Sequence, residues 1–230
     1  MIYEHPLFMT LLTLAIFRCW EIIHTKSGNI PFLNPVFMSI CSLVAILMIF
    51  EIDYENYFSG TEILHLLMAP AIIALAVPLY QNLTKAKEML PLVILTITIS
   101  GSCIIVLAIV IGIFFQLPDP MLLALSTKSV SAPIALEIAE LSGATTALTI
   151  ISVFSTGLLG VIIVPTILNK SRVKEESIQG LILGITSHAF GISRALAISP
   201  LAAAFATMGM ALMGCFAVIA VPLFLHIFGL

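Results

Sequence analysis

The most informative segment of the sequence is Ser126-Thr-Lys-Ser-Val-Ser-Ala-Pro-Ile-Ala-Leu-Glu137. It places a lysine, Lys128, several hydroxyl groups and a proline inside an apolar run. In hydrocarbon, a charge or an unpaired backbone group is tolerated only where it faces protein or a water-filled cavity. The stretch therefore predicts an interrupted helix and an internal polar site in which Lys128 needs a partner.

The composition places this stretch in a membrane. Of the 230 residues, 60% are hydrophobic and 9% are charged, and the mean hydropathy is +1.19. Soluble proteins carry about 25% charged residues. At roughly 20 apolar residues per crossing, the length allows about seven to eight hydrophobic segments. We expect an all-α polytopic membrane protein in which residues 1–230 form one domain within the lipid bilayer.

The composition also argues against several function classes. A net charge of -3 without a long basic run gives no reason to expect a nucleic-acid partner. The four cysteines lie far apart without a CxxC pair, which favours buried thiols over a disulfide or a metal site. Paired aspartates, HExxH and GxSxG are absent from the sequence. We therefore expect neither an enzyme nor a cofactor.

Prolines indicate where helices start or break. Asn34-Pro35 stands at the start of an apolar run, where asparagine can cap a helix and proline can occupy its first turn. An ordinary capped helix and a ligand contact both remain open for Asn34. The segment from Ile63 to Tyr80 contains Pro70 and Pro78, which predicts a kinked or interrupted helix.

The positions of the basic loops add a topological prediction. These loops lie near Lys26, Lys85 and Arg172, and positive residues favour the cytoplasmic side. If every apolar segment crossed once, the third loop would lie opposite the first two. The segment from Met121 to Leu141 is the poorest simple span, so we predict that it forms a re-entrant or broken-helix hairpin. This puts the N-terminus outside and the Arg172 loop inside.

A second unusual motif, Gly184-Ile-Thr-Ser-His-Ala-Phe-Gly-Ile-Ser-Arg-Ala195, contains the other cation that lies outside segment ends and basic loops. On a continuous helix, Ser187, Gly191 and Arg194 at i, i+4 and i+7 would share one face. Together with Lys128 and broken-helix N-termini, this face predicts a site for a small anion.

Other interpretations of these residues stay open. Lys128 could pair with Glu137 or Glu140, and Arg194 could snorkel to the interface or form a structural ion pair. His188 could contact a ligand, act as a neutral hydrogen-bonding group or carry protons, for which an unperturbed pKa of about 6.5 is suitable.

The motifs resemble the LrgB/CidB family. Its two signature segments are similar to Lys128-Ser-Val-Ser-Ala-Pro-Ile-Ala135 and Ser187-His-Ala-Phe-Gly-Ile-Ser-Arg-Ala-Leu196. Asn34-Pro35, Tyr57-Phe-Ser-Gly60 and Ala74-Leu-Ala-Val-Pro-Leu-Tyr80 also match, in the right order. The resemblance covers nearly the whole chain. It implies either a holin-like or antiholin-like regulator of murein hydrolases and lysis, or a transporter like the plant plastidial glycolate/glycerate carrier and the members connected with pyruvate uptake.

The resemblance also implies a cytoplasmic (inner) membrane location, a homo-oligomer such as a dimer, and a membrane partner of the LrgA/CidA kind. The chain departs from the usual family pattern at Thr127, Ala132, Ile192 and Ser193. One hydroxyl is lost and another gained, which bears on substrate preference but removes neither cation.

Our first interpretation is a secondary transporter of small 2-hydroxy- or 2-oxo-monocarboxylates, and the alternative is the holin-like regulator. In the transporter, Lys128 and Arg194 would neutralise the carboxylate and His188 would couple transport to protons. The remaining expected substrate-binding residues are Asn34, Ser129, Ser131, Pro133, Ser187 and Gly191.

Overall fold

A computed structural model of the chain describes residues 6–28, 33–74 and 76–230. Regular structure in these ranges is helical throughout, which confirms the all-α prediction. The helices are α1 (Pro6–Lys26), α2 (Pro35–Ile49), α3 (Tyr54–Gly60), α4 (Glu62–Ala74), α5 (Ala76–Gln81), α6 (Leu83–Phe114), α7 (Asp119–Ser126), α8 (Ala132–Ser142), α9 (Thr146–Lys170), α10 (Glu176–Leu196) and α11 (Pro200–Phe228).

Four helices of the described ranges, α1, α6, α9 and α11, are long and apolar enough to cross a membrane. Helix α2 is also apolar but has only 15 residues, fewer than the roughly 20 that a perpendicular crossing needs. The chain is therefore a multi-pass membrane protein, with shorter helices inserted between its long ones.

The chain divides into two compact units, Met1–Ala74 and Leu75–Leu230. In the first unit, the Trp20 indole donates to Ser42 Oγ at 2.9 Å, which joins α1 to α2. Asn34 Oδ1 accepts hydrogen bonds from the backbone N–H groups of Val36 and Phe37 at 3.0 and 3.3 Å. The predicted asparagine cap at the start of α2 is therefore confirmed.

The kink or interruption predicted between Ile63 and Tyr80 stays a prediction at the boundary between α4 and α5. Residue 75, between these helices, lies outside the described residues. Pro70 is inside α4 and Pro78 is inside α5.

The second unit has two ends, which we name after their residues. At the Lys85 end α6 begins, and at the Gln116 end α6 gives way to α7. Lys85 Nζ donates to Glu175 Oε1 at 2.5 Å, so the loop between α9 and α10 also lies at the Lys85 end. Because α9 ends at this loop while α6 starts beside it, the two long helices run in opposite directions.

Helices α7 and α8 form a hairpin that enters from the Gln116 end, here called hairpin 1 (Asp119–Ser142). Ser152 Oγ of α9 donates to the Ala124 carbonyl of α7 at 3.1 Å. Both residues lie about one and a half turns from their helix starts, so α7 and α9 start at the same end. Helix α8 leads into α9 through Gly143 at φ 77°, so α8 returns to that end. The broken-helix hairpin predicted for this segment is confirmed.

Helix α10 (Glu176–Leu196) is also a hairpin, here called hairpin 2, and its tip is His188. This residue has φ 49° and ψ -127°, which no α-helix contains. A methyl group at Gly191 would lie 1.9 Å from the Leu183 carbonyl oxygen. On a continuous helix, residues eight positions apart are separated by about 12 Å. The chain therefore reverses at His188.

Hairpin 2 enters from the Lys85 end. Its first half packs on α11 so closely that a methyl group at Gly180 or Gly184 would lie 2.0 Å from the carbonyl oxygen of Ala202 or Ala206, respectively. Because both pairs have the same sequence offset, this half runs in the same direction as α11. The two hairpins thus enter from opposite ends, and each follows a long helix, as an inverted repeat requires.

This reversal corrects one prediction from the sequence. Ser187, Gly191 and Arg194 do not share a face of one continuous helix, because the backbone of His188 breaks the helix between Ser187 and the other two. Gly191 instead packs against the backbone of the preceding half of the hairpin.

Each hairpin has its own apolar core. Leu123, Val130 and Ile138 of hairpin 1 pack in a cluster with residues of α6, α9 and the second half of α11. Leu181 and Ile185 of hairpin 2 pack in another cluster, with the first halves of α6 and α11. The core of the second unit therefore holds both hairpins against the same long helices.

Candidate functional site

The tips of the two hairpins meet inside the second unit. The imidazole of His188 hydrogen-bonds with the backbone of Ser129, and the charge of Lys128 is close enough to act on it. His188 is only 3% exposed, and its Nε2 atom is buried without a hydrogen-bond partner among the described residues. A buried ring nitrogen with no partner costs free energy, so this junction is a candidate ligand or water site.

Helix α9 supports both tips near its middle. A methyl group at Gly160 would lie 2.2 Å from Ser187 Oγ, and one at Gly157 would lie 2.8 Å from the Phe190 ring. Missing side chains at these two positions let hairpin 2 approach the helix backbone. Hairpin 1 contacts the preceding turn of α9 through the bond from Ser152 to Ala124. Consecutive turns of one helix therefore position the two tips.

Lys128 lines a cavity between hairpin 1 and α9, here called the α9 cavity. Its volume is about 300 Å³, at the lower end of the range for ligand pockets. Apolar side chains form most of its wall, and the polar groups are Lys128 with three hydroxyl residues of α9. The lining residues are Met121, Ala124, Leu125, Lys128, Leu148, Ile151, Ser152, Ser155, Thr156 and Leu159.

Lys128 has no carboxylate partner in the part of the chain that the structure describes. The sequence offered Glu137 and Glu140 for this role, but both side chains are exposed and neither pairs with the lysine. A half-buried ammonium group in a mostly apolar cavity lacks a counter-charge. An anion in the cavity would supply it.

The other predicted residues of hairpin 1 surround the tip without lining the α9 cavity. Ser129 is buried and contributes its backbone to the junction with His188. Ser131 occupies the position before α8, although its side chain makes no capping bond. Pro133 is exposed in the first turn of that helix. None of these three residues is among those that line the cavity.

The predicted residues of hairpin 2 divide into two groups. Ser187 is fully buried, and its hydroxyl contacts Thr186 Oγ1 at 3.2 Å. Arg194 is half-buried in the returning half, about 9 Å along the helix from His188. It is not among the residues that line the α9 cavity. Asn34 belongs to the first unit, where its side-chain oxygen caps α2.

Sequence reasoning missed the hydroxyls of α9. Ser152, Ser155 and Thr156 were not predicted, because they lie in an otherwise uncharged apolar segment. Their clustering immediately before Gly157 was the available signal, since small and polar residues mark the inward face of a membrane helix.

Comparison with known proteins matches residues 13–227 to the LrgB-like family. The chain belongs to the LrgB-like family. Holin-like protein CidB of Staphylococcus aureus (strain N315) is 27% identical over 98% of both chains. Holin-like protein CidB of Staphylococcus epidermidis (strain ATCC 12228) is 29% identical, also over 98% of both. The protein YxaC of Bacillus subtilis (strain 168) is 34% identical over 81% of both. No solved structure shows significant similarity to the chain.

The family match confirms the resemblance found in the sequence motifs. Both signature segments of this LrgB-like chain are hairpin segments, since they contain the tip of hairpin 1 and the tip of hairpin 2. These two segments therefore meet at one place in the fold.

Proposed function

We propose that this LrgB-like protein binds a small monocarboxylate at the junction of its hairpin tips and transports it across the cytoplasmic membrane. The observation that carries the proposal is Lys128, a half-buried cation in a small cavity with no counter-charge among the described residues. A carboxylate supplies that charge and suits a lysine donor. The role is binding and transport rather than catalysis.

The opposed hairpins suit alternating access. Each tip reaches the site from a different end of the unit, so displacement of either hairpin would open the site to one side only. The buried imidazole of His188 stands between the tips and is the proposed proton carrier. Small acids of the 2-hydroxy or 2-oxo class, such as glycolate, glycerate and pyruvate, are the first substrates to test.

Uptake of radiolabelled acids into proteoliposomes tests the transporter. We expect saturable uptake that a proton gradient stimulates and that Lys128→Ala lowers at least about 100-fold, because a charged hydrogen bond and the counter-charge are both lost. Arg194→Ala is the companion variant. An equal loss would support a two-cation clamp that closes during transport, and near-normal uptake would assign the carboxylate to Lys128 alone.

The second candidate is a holin-like regulator of murein hydrolase activity and lysis. The name shared by the staphylococcal relatives, Holin-like protein CidB, favours this candidate more directly than it favours transport. In this case the chain would form homo-oligomers, act with a membrane partner of the LrgA/CidA kind, and release large solutes. Release of an encapsulated dye, without saturable acid uptake and without dependence on Lys128, would support the regulator and contradict the transporter.

A further inference from the structure

Two hydroxyl groups in the α9 cavity have no hydrogen-bond partner among the described residues. They belong to Ser155 and Thr156, which line the cavity beside Lys128. Two other hydroxyls of the same helix are used internally: Thr149 donates to the carbonyl of Thr145 at 3.2 Å, and Ser152 donates to that of Thr149 at 2.9 Å. The cavity therefore contains one cation and two uncommitted hydroxyls.

The depth of these hydroxyls makes their lack of partners informative. Ser155 follows nine residues after the start of α9, which corresponds to about 14 Å along the helix. The hydrocarbon layer is about 30 Å thick, so both groups lie near its middle if α9 crosses the membrane. A hydroxyl facing hydrocarbon loses its hydrogen bonds. Contact with a polar ligand or with water removes this cost.

We propose that Ser155 and Thr156 form the recognition subsite for a second oxygen atom of the small acid that Lys128 binds. This inference rests on the proposed function. Lysine is a donor only, and it suits the carboxylate, whereas a hydroxyl can donate to either a 2-oxo or a 2-hydroxy oxygen and can also accept from the latter. An acid that lacks this oxygen leaves both hydroxyls unpaired. The subsite therefore selects 2-oxygenated acids over simple ones.

The subsite differs from the serines that the sequence indicated. Ser129 and Ser187 are buried at the tips, and neither lines the α9 cavity with Lys128. Ser152 does line it, but its one hydroxyl proton is already shared between the carbonyls of Ala124 and Thr149. The α9 pair is what remains for a ligand.

Calorimetric binding of glycolate and acetate to the purified full-length chain tests the subsite, because the two acids differ only by the 2-hydroxyl. We expect the wild type to prefer glycolate by about 10-fold or more, since cavity hydroxyls left unpaired penalise acetate. The double variant Ser155→Ala/Thr156→Val should bind the two acids within about 2-fold of each other. Thr156→Ser, which keeps the hydroxyl, should retain most of the preference.

Thr166→Val is the matched control. Thr166 is on the same helix, exposed, without a partner among the described residues and outside the cavity, so its variant should behave as the wild type. An equal loss of preference in this control would overturn the inference, as would a preference that survives in the double variant. Binding of acetate that requires Lys128, without any preference for glycolate, would also overturn it while leaving the carboxylate site intact.

Uptake assays on the same variants separate this inference from the proposed function. Selective binding without transport by the wild type would sink the transporter and leave the subsite standing. Transport that depends on Lys128 but is unchanged in the double variant would support the transporter and overturn the subsite. Failure of the wild type to bind either acid would overturn the subsite directly.

Discussion

Hairpin 1 and hairpin 2 reverse the chain by different means. In hairpin 1 the non-helical residues 127–131 connect α7 to α8, and none of them has a positive φ. In hairpin 2 a single residue, His188, turns the chain at φ 49°. A five-residue tip has room to present Lys128 to a cavity, whereas a one-residue tip leaves a strained backbone held by its surroundings. The tip of hairpin 1 therefore carries charge, and the tip of hairpin 2 is held by tight packing.

The contacts with α11 show the same contrast. Hairpin 2 meets this helix backbone to backbone, at Gly184 against Ala206. Hairpin 1 meets it through a side chain, because Ile134 Cδ1 occupies the space beside Gly214. In membranes, small residues stabilise helix contacts because they let the backbones approach closely, and the hydrophobic effect contributes little. Hairpin 2 is therefore expected to tolerate added volume far less than hairpin 1.

The largest expected effect comes from one methyl group at each contact. Gly184→Ala should lower the free energy of unfolding by about 3 kcal/mol or more, because the new atom would lie 2.0 Å from a backbone carbonyl oxygen that has no room to retreat. Gly214→Ala should cost about 1 kcal/mol or less, since a flexible isoleucine end can rotate away. Denaturant titration in detergent measures both. Equal losses would contradict the contrast between the two contacts.

The second prediction concerns the backbone conformation of each tip, compared through the stabilities of glycine and alanine variants. Glycine adopts φ 49°, ψ -127° without a steric penalty, whereas alanine does not. His188→Gly should therefore be more stable than His188→Ala by about 1–2 kcal/mol, although both lose the imidazole. At Ser129, where φ is not positive, the order should reverse, with the glycine variant less stable by about 0.5–1 kcal/mol. The same ranking at both tips would argue against strain at His188.

These differences explain what the sequence could predict. Hairpin 1 was predictable because Lys128, its hydroxyl neighbours and Pro133 interrupt an apolar run, and each has a known effect on a membrane helix. Hairpin 2 was not, because the apolar pattern continues through His188 and a histidine gives no sign of a positive φ. The glycines at 180, 184 and 191 signalled close packing without showing that the chain reverses.

A similar limit applies to the candidate site. Lys128 could be selected from the sequence, since charge inside an apolar segment is rare and costly. Ser155 and Thr156 could not, because hydroxyls in a membrane helix usually bond to their own backbone. Only the fold shows that these two do not, and that they line the same cavity as the lysine.

A smaller effect is expected from the proline in the first turn of hairpin 1's second helix. Pro133 is exposed and lies outside the α9 cavity, so Pro133→Ala should leave glycolate binding unchanged. It should lower the free energy of unfolding by about 0.5 kcal/mol, because proline restricts the unfolded chain. Pro200→Ala, in the first turn of α11, is the matched control and should cost a similar amount. A binding defect specific to Pro133→Ala would return this residue to the site.

The smallest effect concerns the bases of the hairpins. Lys85 and Ser177 both donate hydrogen bonds to Glu175 Oε1, and these bonds, that of Lys85 first, lower the pKa of Glu175 below its ordinary value of 4.5. Within the described residues the base of hairpin 1 has no such ion pair. A carboxyl whose folded pKa is lowered stabilises the fold above its ordinary pKa and loses this contribution as the pH falls through the lowered value.

Glu175→Gln should therefore lower the melting temperature at pH 7, by at most about 1 °C because the pair is exposed. The difference from the wild type should vanish once the pH lies below the lowered pKa, where the wild-type carboxyl is also neutral. Asp119→Asn at the base of hairpin 1 is the matched control, because Asp119 has no ion pair to lose among the described residues. A difference for Glu175→Gln that persists at low pH would mean that the glutamine acts through packing, and that the two bases do not differ in charge pairing.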